Sequence, residues 1–220
     1  MSRKIFILIG PPASGKGTQA EMLSKKIKLP VVSAGDLLRY EEKAKSKIGK
    51  QASSIMSAGK LVPNEVVFKL LKKRSLKPDA KKGYIIDGFP RSKGQLDYLP
   101  KLVKKEDIVY AIEIMVNDKE VKSRINGRRV CKCGAAYHLK YKPSKKDGIC
   151  DKCGKRIYIR DDDKPRVVSK RLKVYHKNSK SVLNYFIKID KLIKVNGDQP
   201  IIKVHKDLIK EVKKIYDQID

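Results

Sequence analysis

The feature that most constrains this chain is a glycine-rich segment, Gly10–Thr18, that directly follows the apolar run Ile5–Ile9. The apolar run alternates isoleucine with other large apolar residues and ends at a glycine, which is typical of a buried parallel strand. From Lys16 onward the pattern favours the first turns of a helix. Strand, glycine-rich turn and helix in this order predict a loop whose backbone N–H groups face a phosphate, with Lys16 reaching the β- and γ-phosphates.

The residue after Lys16 departs from the usual form of this loop. A Ser or Thr normally stands there to hold Mg²⁺, whereas this chain has Gly17 and places Thr18 one residue later. Either the hydroxyl is displaced, or phosphates, waters and another carboxylate hold the metal ion. Asp87 is the candidate carboxylate, because it ends a predicted strand at the edge of the sheet where ligands bind.

The chain carries 53 basic and 24 acidic residues, a formal net charge of +29. Such a charge indicates nucleic acid first and acidic small molecules second. The 42 lysines are spread over nearly every segment, as on a solvated surface, whereas the 11 arginines gather near the motifs. Arginine recognises phosphate through two parallel hydrogen bonds, so we expect a compact polyphosphate site and no specific nucleic-acid partner. The excess of lysine is explained equally well as a bias in composition that has no function.

Apolar patterns predict five strands that alternate with helices, at Ile5–Ile9, Leu29–Ser33, Gly83–Asp87, Val109–Val116 and Pro200–Val204. This alternation predicts an α/β fold, with a mostly parallel sheet and helices on both faces. The segment 33–62 is a polar helical insertion that we expect to move as a unit. No apolar run is long enough to span a membrane, and we expect a cytoplasmic protein.

Between residues 127 and 163 the helical pattern disappears and four cysteines occur in two close pairs. Two Cys-Gly knuckles are typical of a zinc ribbon, in which four thiolates hold the metal and supply the folding energy of a small unit. The first pair is C-x-C where C-x-x-C is usual, so His138 is considered as a substitute ligand. Free thiols or a disulfide are the alternatives. The predicted zinc ligands are Cys131, Cys133, Cys150 and Cys153.

Six segments taken together resemble the adenylate kinases, in the long form whose lid carries zinc, within the nucleoside monophosphate kinase superfamily. The resemblance covers essentially the whole chain, and in this family a glycine is usual after the lysine of the loop. The segments are Gly10–Thr18, Ser33–Arg39, Gly59–Glu65, Asp87–Arg91 with Gln95, Gly127–Arg129 and Arg160–Asp163.

The resemblance implies a three-layer P-loop fold with a five-stranded parallel sheet. It implies a core domain (1–32, 63–126 and 164–220), a nucleoside-monophosphate-binding insertion (33–62) and a lid (127–163). The implied reaction is reversible transfer of the γ-phosphoryl group of MgATP to AMP, giving two ADP. The implied state is a monomer whose partners are ATP, AMP and ADP.

The resemblance also implies roles for individual residues. Those around the transferring phosphoryl group would be Lys16, Arg91, Arg128, Arg160, Arg171, Asp162 and Asp163. Those binding ATP would be Gly10, Pro11, Ala13, Ser14, Gly15, Lys16, Gly17, Thr18, Arg124, Arg128, Tyr137 and Gln199. Those binding AMP would be Ser33, Ala34, Gly35, Arg39, Lys60, Leu61, Val62, Gly88, Arg91, Gln95, Arg160 and Arg171.

Ala34 departs from the pattern, because adenine-specific members usually have threonine there and the UMP/CMP kinases have alanine. A UMP/CMP kinase is therefore the alternative within the superfamily, and Gln95 favours AMP. From another class, the alternative is a nucleic-acid-binding zinc-ribbon protein. That alternative gives no account of Arg39, Asp87, Arg91 and Gln95 at their spacings.

Overall fold

The computed structural model describes residues 2–217. Its strands are β1 (Lys4–Ile9), β2 (Val31–Ser33), β3 (Gly83–Asp87), β4 (Ile108–Met115), β5 (Arg128–Val130), β6 (Ala136–His138) and β7 (Leu192–Asn196). Its helices are α1 (Lys16–Ile27), α2 (Ala34–Lys43), α3 (Lys47–Ser57), α4 (Asn64–Ser75), α5 (Lys93–Leu96), α6 (Leu99–Leu102), α7 (Asp118–Gly127), α8 (Pro165–Lys188) and α9 (Ile201–Asp217). Two 3-10 turns complete the list, at Pro78–Ala80 and Asp161–Asp163.

Five strands form one parallel sheet in the order β2-β3-β1-β4-β7, which confirms the predicted α/β fold. The register pairs Leu8 of β1 with Asp87 of β3, and Ser33 of β2 with the same Asp87. The carboxyl ends of these strands therefore meet at one edge, from which the glycine-rich loop and the Asp87 turn both leave.

Alternate residues of β1 enter two separate hydrophobic cores, as expected of a strand buried on both faces. Ile5, Ile7 and Ile9 pack on the side of α8, in the core that contains Phe186. Phe6 and Leu8 pack on the opposite side, against α1 and α9. This two-sided burial holds the strand rigidly, and with it the loop that follows at Gly10.

The fifth strand is not the predicted one. Residues 192–196 form it, as β7, whereas the predicted strand Pro200–Val204 contains the first turn of α9. The β-branched run there belongs to a longer helical pattern, because Val204, Leu208 and Val212 recur at a spacing of four and are all buried in the second core. Local β propensity favours a strand at residues 200–204, but the helical period of the longer segment prevails.

Two features of the helices bear on the site. The break in the insertion falls at residues 44–46, between α2 and α3, and Gly49 lies inside α3 with its Cα against the backbone of Glu41. The residues after the cysteine segment form one long helix, α8, of 24 residues. None of the helices within residues 2–217 combines the length and the apolar composition needed to cross a bilayer.

The insertion and the cysteine segment contact each other. Residues 33–62 contain α2 and α3, and residues 127–163 contain the antiparallel pair β5-β6 and a 3-10 turn. The Lys43 ammonium, at the end of α2, donates to the backbone oxygen of Lys132 between the first two cysteines. The cleft between the two segments is thus bridged in this structure.

Candidate active site

One cavity of about 1100 Å³ runs along the carboxyl edge of the sheet, between the glycine-rich loop, the insertion and the cysteine segment. Its lining includes every residue predicted to bind nucleotide or to surround the phosphoryl group except Pro11 and Asp163. Asp87, Cys131 and Cys133 also line it. Residues from distant parts of the sequence therefore face one space, large enough for more than one small ligand.

The glycine-rich loop adopts backbone angles that only glycine accepts readily. Gly15, at the N-cap of α1, has φ of +94°, and Gly10 has φ of +154°. A Cβ atom on Gly10 would lie 2.6 Å from the backbone oxygen of Ile114, so the loop packs closely against β4. The N-terminus of α1 opens into the cavity, and Gly15 provides no side-chain cap for it. This leaves backbone N–H groups to meet an anion there.

The Lys16 ammonium lies over the loop, where it donates to the backbone oxygens of Gly10 (2.8 Å) and Pro11 (2.6 Å). Burial lowers the pKa of Lys16 to about 7, and the nearby guanidinium groups, chiefly that of Arg91, add to this lowering. The Asp87 carboxylate opposes them. Burial therefore destabilises the charged form of Lys16, and a bound anion such as a phosphate would stabilise it.

Three arginines and two aspartates form an ion-pair network at the junction of the cysteine segment and α8. Asp163, whose side chain is only 1% exposed, accepts from Arg128 Nε at 2.7 Å and from Arg171 Nη1 at 3.0 Å. Asp162 accepts from Arg160 Nε at 2.7 Å and pairs with Arg171 at 3.1 Å. Burial by itself would raise the pKa of Asp162, but Arg171 and Arg160 together hold it below its usual range.

This network fixes three guanidinium groups beside the glycine-rich loop. Burial also lowers the pKa of Arg171 to about 10, which leaves the group charged at neutral pH. Because the pairs involve buried carboxylates, the arginines are oriented by their partners rather than by solvent. The structure brings together Arg128, Arg160 and Arg171 as the sequence predicted, and it gives Asp162 and Asp163 the task of holding them.

At the other end of the cavity, the tight turn after β3 presents Arg91, and the short helix α5 that follows presents Gln95. Arg91 Nε donates to the Gly88 backbone oxygen at 2.7 Å, which aims the guanidinium along the sheet edge. Arg39 lies across from it on α2, paired with Asp36 at 2.6 Å. Gln95 is buried, and its Oε1 accepts the backbone N–H of Arg91 at 2.7 Å.

The wall of this end comes from the start of the insertion and from the segment before α4. The Ser33 hydroxyl caps α2 by accepting from the Asp36 N–H at 3.3 Å, and Ala34 follows it, 4% exposed. Lys60, Leu61 and Val62 line the same cavity.

Arg124 and Gln199 lie at the end of the cavity beyond the loop. Arg124 donates to Glu120 Oε1 at 2.8 Å and to the backbone oxygen of Gly197 at 2.7 Å. The Gln199 amide donates to the backbone oxygen of Asn196 and to Asp207, and the residue lines the cavity. Gln199 precedes α9, and not a strand as the sequence reading had it.

The four cysteines form a cluster in which all four sulfur atoms lie within 4.8 Å of one another. Sγ of Cys131 is 3.4 Å from Cys153, and Sγ of Cys133 is 3.6 Å from Cys150. Tetrahedral Zn²⁺ with Zn–S bonds of about 2.3 Å needs sulfur atoms about 3.8 Å apart, so this donor set fits zinc. His138, considered above as a substitute ligand, lies outside the cluster.

Tyr137 contacts this cluster with its hydroxyl group. The hydroxyl accepts the Asp151 N–H at 2.8 Å and lies 3.3 Å from Cys150 Sγ, and this hydrogen bond lowers the pKa of Cys150 to about 6. The thiolate is the form that binds a metal. Tyr137 also lines the cavity, so its predicted place at the nucleotide and its contact with the cysteines coexist.

The sequence reading missed several residues that line the cavity. Glu120 and Tyr141 meet beside Arg124, and Lys43 bridges the two segments over the cleft. None of the three belongs to a motif with fixed spacing. The only available signal was the placement of Glu120 four residues before Arg124 on a helix, a pairing that helices commonly use.

Comparison with known proteins gives a consistent result. Residues 8–191 match the profile of the family described as "Adenylate kinase". An adenylate kinase from Caldicellulosiruptor bescii is 41% identical over 208 residues, covering 93% of this chain and 97% of the relative. The corresponding protein from Archaeoglobus fulgidus is 42% identical over 213 residues, covering 96% and 98%. One from Lachnoclostridium phytofermentans is 42% identical over 207 residues, covering 93% and 95%.

Proposed function

The chain belongs to the adenylate kinase family, which transfers a phosphoryl group from ATP to AMP to give two ADP, and we propose how its residues divide this work. The observation that carries the proposal is the single cavity in which Lys16 faces the arginines of two different segments. ATP lies over the glycine-rich loop with its base toward Arg124. AMP lies against the insertion with its phosphate between Arg39 and Arg91.

The chemistry needs positioning and charge neutralisation rather than a general base. The acceptor is a phosphate oxygen of AMP, which is already ionised at neutral pH, so no proton has to be removed from it. The two nucleotides repel each other, and Lys16, Arg128, Arg160 and Arg171 offset the charge that they bring together. The Asp162 and Asp163 carboxylates keep these guanidinium groups in place before the nucleotides arrive.

Water is the competing acceptor for the phosphoryl group. Closure of the 127–163 lid and the 33–62 insertion excludes it, and the remainder of the chain acts as the rigid core. The bridge from Lys43 to the Lys132 backbone oxygen supports this reading of the domain boundaries. If the cleft closes only when both nucleotides are bound, the phosphoryl group can transfer to AMP and not to water.

Two metal ions complete the proposal. Asp87 at the sheet edge would hold Mg²⁺ through bound water, since this ion keeps several of its waters when carboxylates and phosphates bind it, and the ion would neutralise charge on the ATP phosphates. Gly17 offers no hydroxyl, and its Cα faces the Asp87 carboxylate, which supports Asp87 as the main protein group there. A structural Zn²⁺ held by Cys131, Cys133, Cys150 and Cys153 would give the lid its rigidity.

AMP is the proposed acceptor, and UMP or CMP the alternative that Ala34 favours. The buried Gln95 amide at the base end supports AMP, because a buried hydrogen-bonding group discriminates more strongly than the loss of one hydroxyl. We propose a monomer without a nucleic-acid partner. Thiolate ligands are most stable against oxidation in a reducing compartment, which supports the cytoplasm.

The direct experiment is to incubate the protein with MgATP and, separately, with AMP, CMP, UMP and GMP, and to identify the diphosphates formed. We expect ADP from AMP at the highest rate. The variants K16A and R91A should lower turnover severely and leave the circular dichroism spectrum unchanged. Near-normal turnover of either folded variant, or no diphosphate from any of the four acceptors, would contradict the proposal.

A further inference from the structure

At the end of the cavity where Arg124 lies, the lid contacts the core through a side chain that the proposed function does not use. Glu120 Oε1 on α7 accepts from Arg124 Nε at 2.8 Å, and the same oxygen accepts the Tyr141 hydroxyl at 3.3 Å. Glu120 belongs to the core, and Tyr141 belongs to the 127–163 segment. All three side chains line the cavity.

The contacts of Arg124 leave it a single orientation. Its Nη2 donates to the Gly197 backbone oxygen at 2.7 Å, while its Nε donates to Glu120, and its side chain is 16% exposed. A guanidinium group held at two of its nitrogen atoms presents a fixed face to the cavity. Loss of the Glu120 carboxylate would leave the Nε atom without this partner, and the guanidinium group would be held at Nη2 alone.

Tyr141 is itself fixed to the ring that borders the same space. Its backbone N–H donates to His138 Nδ1 at 3.2 Å, and the two rings lie 4.5 Å apart. His138 Nδ1 also accepts from Lys140, so the remaining ring proton is on Nε2. That Nε2 atom is buried without a hydrogen-bond partner. The Tyr141 hydroxyl thus links Glu120 to the 127–163 segment.

We propose that Glu120 is a positioning residue that orients Arg124 toward the ATP base, and that the Tyr141 hydroxyl completes this arrangement only when the lid closes. The inference rests on the proposed role of Arg124 and of the lid. A hydroxyl that donates to a carboxylate makes a stronger hydrogen bond than one between neutral groups. Closing the lid therefore adds a hydrogen bond to Glu120, the residue that orients Arg124. The affinity for ATP then depends on both the Glu120–Arg124 contact and the Tyr141–Glu120 contact.

The test compares ATP with inorganic tripolyphosphate as ligands for the wild type, E120A, Y141F and the double variant E120A/Y141F. Binding is measured by calorimetry, and KM and kcat by a coupled assay. We expect E120A to weaken ATP binding about tenfold and Y141F about threefold, as loss of hydrogen bonds to a charged group implies. Tripolyphosphate has no base, so its binding should stay within about twofold of the wild type in both variants.

The double variant separates positioning from two independent contacts. Because Tyr141 acts through Glu120, E120A/Y141F should bind ATP no more weakly than E120A alone. E120Q, which keeps an acceptor oxygen, should recover part of the affinity. The KM for AMP should not change in any of them, and K122A, an exposed site on the same helix, should match the wild type throughout.

Additive losses in the double variant, or an equal loss of tripolyphosphate binding, would overturn the inference. R124A distinguishes this failure from failure of the proposed function. If R124A weakens ATP binding and E120A does not, then only the positioning role of Glu120 is wrong. If R124A binds ATP as the wild type does, then the placement of the ATP base at Arg124 is wrong as well.

Discussion

The Gln95 side-chain oxygen accepts the backbone N–H of Arg91, at 2.7 Å. A backbone N–H can only donate, so this bond determines which way the Gln95 amide points. Its NH₂ group is then the part left for a ligand at that end of the cavity, and it can only donate. Adenine N1 and cytosine N3 are acceptors, whereas guanine N1 and uracil N3 carry hydrogen.

We therefore predict that AMP is the best acceptor, that CMP is used more slowly, and that UMP and GMP are poorer still by about a hundredfold in kcat/KM. Q95E keeps an oxygen for the Arg91 N–H but cannot donate, so it should lose about a hundredfold in kcat/KM for AMP. K93Q, at an exposed position on the same short helix outside the cavity, is the matched control. Equal rates with AMP and UMP would contradict the orientation of the amide.

The second prediction concerns pH. The pKa of Lys16 is lowered to about 7 by burial, so above pH 7 the free protein holds this group increasingly neutral. A bound polyphosphate favours the ammonium form, so binding above pH 7 has to take up a proton. The affinity for MgATP should be about tenfold weaker at pH 8 than at pH 6, because the neutral fraction rises from about one-tenth to nine-tenths.

Calorimetry in buffers of different ionisation enthalpy measures this proton uptake directly. We expect close to one proton per MgATP at pH 8 and little at pH 6. The charged groups that face Lys16 are Asp87, Arg91, Arg128 and Arg171. K16M is the control, because it removes the titrating group and should remove the uptake. The same uptake in K16M would assign it to another group.

The parts of the fold that could be predicted from the sequence are those in which a local pattern and the tertiary structure agree. The strand before Gly10, the loop and the strand ending at Asp87 each combine an apolar run with a turn residue, and all three are confirmed. The fifth strand was misplaced, because Pro200–Val204 is locally β-like and becomes helical only through apolar contacts as far along the chain as Val212. Tertiary packing decided the element there.

The residues of the candidate site likewise fall into those that a sequence motif predicts and those that it does not. Arginines and aspartates within spaced motifs come together in the structure, because each motif is tied to the end of a particular strand or helix. Glu120 and Tyr141 are separated by 21 residues, and no pattern connects them. Their contact depends on how residues 127–163 pack against α7, which a single sequence does not encode in any local signal.

The third prediction concerns the zinc ion that we propose for residues 127–163. The buried cluster of this segment consists only of Cys131, Tyr137 and Cys150, with Ala135 and Ile157 packed beside it. So small a core cannot fold without a metal ion. Chelation should lower Tm by roughly 5 °C, the shift that about 2 kcal/mol produces in a chain of this size, and should raise the KM for ATP.

Metal analysis of the purified protein should give one zinc per chain. The far-UV circular dichroism signal should change little on chelation, because the helices of the core do not depend on the metal. C131S/C150S is the matched control, and the chelator should leave its Tm unchanged. Protein without zinc that shows the same Tm and the same KM with or without chelator would contradict a structural metal.

The fourth prediction separates two neighbouring aspartates. Asp163 is buried and joins Arg128 to Arg171, whereas Asp161 is 76% exposed and pairs with the exposed Lys164. D163N removes the charge that Arg128 and Arg171 share and leaves Arg128 without its carboxylate partner, which should cost about 3 kcal/mol of unfolding free energy. It should also lower kcat about a hundredfold, because the arginines are no longer fixed around the phosphoryl group. D161N should change neither quantity measurably, since an isolated exposed pair contributes little.

Chemical denaturation gives the free energy of unfolding, and initial rates at a temperature where D163N is fully folded give kcat. If folded D163N keeps kcat within about twofold of the wild type, then the carboxylate stabilises the lid junction without orienting the arginines for catalysis.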